Sequence, residues 1–137
     1  MSETVRTETP AVGALTRWSR YVLIACAWLL AVGVVVQIFL AGLGFFESAD
    51  FWVDHVDIGH MISPLAYLLP ILALLGRVGW PRGGQAVVVT VLYVVQVILP
   101  TLDAGYIAAL HPLNAFLLLG GSFSLGMSIL GLARSQR

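Results

Sequence analysis

The chain reads as an all-α integral membrane protein: a four-helix bundle of two parallel-repeat hairpins with both termini cytoplasmic. Three observations predict this. Of 137 residues, 59% are hydrophobic and only 10% charged, with a mean hydropathy of +0.94. That leaves too little polar surface to clothe a soluble domain of this size. Four apolar runs approach the length of about 20 residues needed to cross the hydrocarbon of a bilayer. Finally, basic and acidic residues alternate between successive connections, as they do in multi-pass proteins.

Residues 1–20 form a polar, charged tail, expected to be cytoplasmic, that carries Arg6, Arg17 and Arg20. Span 1, 21–46 ("YVLIACAWLLAVGVVVQIFLAGLGFF"), begins after this tail and is too long for the apolar core of a cleavable signal peptide. Its lone cysteine, Cys26, has no disulfide partner and reads as a small packing residue. The connection that follows holds only acids, Glu47, Asp50, Asp54 and Asp57, and span 2 covers roughly 56–76. Arg77 and Arg82 lie between spans 2 and 3, and span 3 runs over roughly 85–102. Asp103 follows it. Span 4, 112–133, closes the transmembrane domain of 21–133, and 134–137 is a second basic tail with Arg134 and Arg137. The arginine-bearing segments are expected inside and the acidic lip outside. Formal charge is zero and no basic patch exists for nucleic acid, so the lipid bilayer is the first expected partner.

A weak internal repeat gives the site hypothesis. "VVQIFLAGLG" at 35–44 resembles "VVQVILPTLD" at 94–103, and each precedes a histidine heading the next span, "HMISPLAYLL" from His60 and "HPLNAFLLLG" from His111. The spacing differs: Gln37 to His60 is 23 residues and Gln96 to His111 is 15. Two parallel hairpins related by an axis along the membrane normal would set His60 and His111 at similar depth, on diagonally opposed helices, facing one another. Facing imidazoles inside a helical bundle are a haem site in outline. His60 and His111 are therefore the expected metal ligands of one b-type haem.

Neighbouring residues carry two readings each. Asn114, Gly121 and Ser128 recur every seven residues beside His111, and Cys26, Gly33, Gln37 and Gly44 line span 1. Small residues there admit a flat macrocycle, but they serve ordinary helix packing equally, and packing is the better expectation. Gln37 and Gln96 read first as interhelical hydrogen-bonding residues and second as contacts to a cofactor. Asn114 is expected to cap, to touch the ligand, or to orient His60 through its second nitrogen. His55, about 140° around a helix from His60, is expected on the lip, in solvent or reaching a propionate. Pro64 and Pro100 free the carbonyls of His60 and Gln96, whereas Pro112 starts span 4 at no cost and places His111 at or beside the N-cap. Trp52, Tyr67 and Tyr106 read as interfacial anchors or packing residues. The lip has no Lys or Arg for propionates, which would lower a haem's reduction potential or keep a propionate protonated.

These motifs, "VVQIFLAGLG", "HMISPLAYLLPILALL", "VVQVILP" and "ALHPLNAFLLLG", resemble one four-helix half of the haem A synthase family. They are similar also to a family of small uncharacterised four-span bacterial membrane proteins. The first resemblance covers the chain after residue 20 and implies a haem flanked by His60 and His111. The histidine-arginine pair of that family is absent, since Met61 follows His60 and Pro112 follows His111, and no second bundle is present. Farnesyl-haem oxidation is thus not implied. With both axial positions filled, electron transfer or haem handling is the expected role, with a redox partner. Two other classes stay open. One is a non-catalytic accessory subunit of a larger membrane complex or homo-oligomer. The other is an outward-facing divalent-metal or small-solute site in a transporter, made from His55, Asp57, His60 and His111.

Overall fold

The computed structural model describes residues 13–135, and these are helical almost throughout, with no strand among them. Helix α1 is Ala14–Phe46, α2 Phe51–Met61, α3 Ser63–Leu75, α4 Trp80–Ile98, α5 Gly105–Ala108 and α6 Leu110–Arg134; a single 3-10 turn covers Leu99–Thr101. Four stretches are long and apolar enough to cross a membrane: Ala14–Phe46, Phe51–Leu75, Trp80–Thr101 and Gly105–Arg134. Each exceeds its apolar run because the helices continue into polar sequence. Arg17 and Arg20 lie within α1, and the acidic segment Phe51–Asp57 is helical rather than a loop. Residues 1–12 and 136–137, with Arg6 and Arg137, lie outside the described residues.

Specific contacts give the direction of each span. Gly44 approaches Trp52 and Gly33 approaches Ile62, so α2 runs back along α1. The Tyr93 hydroxyl donates to the Gly59 carbonyl at 2.7 Å and the Thr90 hydroxyl to that of Ala66 at 2.8 Å, so α4 reverses again. Gln85 donates to Ser124 at 3.0 Å and Asn114 to the Leu92 carbonyl at 2.9 Å, which makes α6 antiparallel to α4. Helix α1 packs on both α3 and α6, and α4 packs on the same two helices from the opposite side. The core between them is Leu23, Ala27, Leu30, Leu69, Val89, Leu118, Leu125 and Ile129. Buried Cys26 packs in it as expected. Most large side chains pointing away, such as Val32, Phe39, Leu74, Phe116 and Leu117, are exposed, as a lipid-facing surface requires.

Prolines shape the ends and the repairs. The break between α2 and α3 falls at Ile62, two residues before Pro64, which then occupies the first turn of α3. Pro70 lies inside α3 and withholds an N–H from the carbonyl of Ala66. Thr90 of α4 supplies the missing donor, its one proton shared with the Ala86 carbonyl at 3.0 Å. At the arginine end, Arg20 is buried and its Nε donates to the Gly76 carbonyl at 2.6 Å, tying α1 to the α3–α4 turn. Two backbone positions permit that turn, Arg77 at φ 46° and Gly79 at φ 84°.

The heptad of small residues on span 4 has a plain explanation. Asn114 bonds α4, Gly121 meets Val89 of α4, and Ser128 accepts from Arg82 Nε at 3.2 Å. This stripe is the α4–α6 seam and not a macrocycle wall. Gly44 serves packing in the same way: a Cβ there would lie 2.7 Å from the Trp52 indole.

Candidate functional site

At the acidic end, the spans enclose a half-open cavity of about 440 Å³. Its walls are apolar, among them Val34, Val56, Ile62, Val97, Ala115 and Leu118, and its polar groups are few: Gln37, His55, His60, Tyr93, Gln96, Thr101 and His111. That combination of apolar wall and sparse polar groups is the usual make-up of a small-molecule site.

Both glutamines of the VVQ triplets receive a histidine on their backbone carbonyl, but the first of these histidines is His55 and not His60. His111 Nδ1 lies 2.9 Å from the Gln96 carbonyl oxygen. His55 Nδ1, not a nitrogen of His60, makes the corresponding contact, 3.1 Å from the Gln37 carbonyl oxygen. A carbonyl only accepts, so each ring donates from Nδ1, which in a neutral imidazole leaves the lone pair on Nε2. The rings of His55 and His111 are also neighbours, with centroids 6.1 Å apart and planes at 64°. They continue a file of rings from the lip, Phe45 to Trp52 at 5.0 Å and Trp52 to His55 at 5.6 Å.

His60 is placed differently from its expectation. It is exposed and lines the cavity five residues beyond His55. The imidazole beside His111 is that of His55. The 140° between His55 and His60 does not separate them as expected, since both line the cavity. His111 is the second residue of α6, with Pro112 following it in the first turn as expected.

The two glutamines do different work. Asn114 Nδ2 donates to the Leu92 carbonyl at 2.9 Å and to Gln96 Oε1 at 2.7 Å. Gln96 Nε2 is thereby turned to His111 Nε2, 3.1 Å away, to which it donates. Gln96 thus holds both ring nitrogens, and Asn114 acts on His111 and not on His60. Gln37 has no such partner: its Nε2 is buried without a hydrogen bond, and its amide packs against Gly59.

Sequence reasoning underrated His55. The signal was present, since Gln37 to His55 is 18 residues, nearer than the 23 to His60 to the 15 separating Gln96 and His111. Tyr93 was missed altogether; it is buried, stacks edge-on with Tyr67 at 5.8 Å and closes the cavity floor through its bond to Gly59. Tyr67 and Tyr106 are exposed, Tyr106 at 81%. Among the described residues, no three His, Cys, Asp or Glu side chains come together to hold a bare metal ion. Of the residues in the divalent-metal reading, His55, His60 and His111 line the cavity, and Asp57 is exposed and outside its lining.

Residues 37–102 match the model of a family of unknown function, DUF6220. The match covers just under half the chain; it takes in Gln37, His55, His60 and Gln96 and ends before His111 and Asn114. It is in keeping with the resemblance to a small uncharacterised membrane family. No curated protein and no solved structure matches the chain, and no comparison links it to the haem A synthases.

Proposed function

We propose that this chain is a four-helix membrane bundle of two parallel-repeat hairpins, with both termini cytoplasmic, that binds one b-type haem near the outer face for electron transfer or haem handling. The pairing His60–His111 gives way in this reading to His55–His111. The observation that carries it is the arrangement of those two imidazoles. Each is anchored through Nδ1–H on the backbone carbonyl of a repeat-related glutamine. This is the support that orients metal-binding histidines and leaves Nε2 as the donor atom. Their centroids, 6.1 Å apart, are spaced as two rings sharing one metal through a nitrogen each, which puts ring centres about 6 Å apart.

The cavity suits the guest. Its apolar walls would exclude water, and its volume falls in the range of about 300–1,000 Å³ typical of ligand sites. Bound there, haem would supply a one-electron iron couple. His55 and His111 would be the protein ligands of that iron. Thr101, Trp52 and His60, which also line the cavity, are polar groups available to the propionate edge.

A spectrum decides the matter. Protein purified in detergent after expression with ample haem should show a Soret band that shifts on reduction. Alanine at His55 or His111 should abolish or shift that band, whereas His60→Ala should leave it. A colourless preparation overturns the proposal; loss of the band in His60→Ala alone restores the His60–His111 pairing.

A further inference from the structure

Although the two imidazoles are anchored alike at Nδ1, their Nε2 atoms are not in the same state. His111 Nε2 accepts from the Gln96 amide at 3.1 Å. The orientation of that amide follows from a carbonyl that can only accept and an amide nitrogen that can only donate. The Leu92 carbonyl requires Asn114 to present Nδ2, and Asn114 Nδ2 in turn requires Gln96 to present Oε1. Gln96 Nε2 has then only one direction left, toward His111. In the other half, the Gln37 amide nitrogen has no hydrogen-bond partner among the described residues.

We infer that Gln96, held by Asn114, is a latch on His111 that competes for its Nε2 lone pair and makes it the releasable one of the two imidazoles. The inference rests on the haem reading for what His111 releases. To coordinate, His111 must give up the Gln96 amide; when it lets go, the same amide takes the lone pair back. His55 has no competitor of this kind. Gln96 and Asn114 are positioning residues: they touch the ligand atom of His111 or act through it. A single neutral hydrogen bond corresponds to an equilibrium factor of about 2- to 10-fold.

Carbon monoxide reads that factor. Ferrous wild-type protein titrated with carbon monoxide should show a Soret shift as His111 is exchanged. In Gln96→Leu, whose backbone carbonyl still holds Nδ1–H, the half-saturating concentration should rise about 2- to 10-fold. Asn114→Ala, which frees the amide to turn, should lie between. Equal titrations in coloured wild type and Gln96→Leu overturn the latch and leave the haem reading standing. A colourless wild type overturns the haem reading instead. The latch is then judged on ligand-free protein by ¹⁵N resonances of the histidine rings. Gln96→Leu should move one Nε2 signal and leave its Nδ1–H tautomer; an unmoved Nε2 overturns it.

Discussion

The two hairpins place a histidine on a glutamine carbonyl in the same way, yet for different reasons. In the second half the Gln96 carbonyl is freed by Pro100, four residues on, and His111 supplies the donor that the helix lacks. In the first half the corresponding residue is Ala41, inside the unbroken helix α1, so the Gln37 carbonyl already has an N–H to accept. His55 is an addition there. The lesson is that His111 repairs a helix and, in the proposed haem site, would present a ligand nitrogen as well, whereas His55 is available for the second job alone.

The largest expected effect separates these jobs. In ligand-free protein, His111→Ala leaves a carbonyl without a donor in a water-poor setting, and should cost about 1–3 kcal/mol. His55→Ala should cost less than about 1 kcal/mol, since only a second bond to a satisfied carbonyl is lost. Thermal unfolding in detergent checks the order. A Pro100→Ala background, which restores the missing N–H, should shrink the His111→Ala cost and leave that of His55→Ala unchanged. A cycle with no coupling between positions 100 and 111 would break the comparison.

Much of the fold was legible because hydropathy marks candidate spans directly: four apolar runs became four helical stretches long and apolar enough to cross a membrane. Helix ends were less so, since α2 begins at Phe51 in sequence that is polar enough to pass for a loop. The repeat was visible in "VVQ", but its histidine register depends on where α2 starts, and that start is set by the Trp52–Gly44 and Trp52–Phe45 contacts. A pattern of apolar residues carries no record of such a contact. Pro100 did announce an unsatisfied carbonyl. Only the fold could show that the partner was the imidazole of His111.

Pro70 and Thr90 repeat the device without a ligand in view, and give the next effect. Thr90→Val keeps the side-chain shape and removes the donor to Ala66, at an expected cost of about 1 kcal/mol. It should be smaller than that of His111→Ala because the threonine proton is already divided between two carbonyls. Pro70→Ala should relieve it. A Thr90→Val protein as unstable as His111→Ala would mean that carbonyl repair accounts for the whole cost at both places, and that His111 adds nothing beyond it.

The smallest effect tests the glutamines and has opposite signs in the two halves. Gln96→Leu removes an amide bonded to both His111 and Asn114 and should destabilise ligand-free protein by about 0.5–1.5 kcal/mol. Gln37→Leu removes a buried donor that bonds nothing, and should be neutral or stabilising by up to about 1 kcal/mol. An amide that costs stability at the wall of a ligand-sized cavity is unspent bonding capacity, so the same substitution in loaded protein should lose whatever bond the guest makes to it. The two melting curves must therefore be recorded with and without haem. If Gln37→Leu proves as costly as Gln96→Leu in ligand-free protein, the Gln37 amide has a partner of its own, and the two halves of the site are equivalent after all.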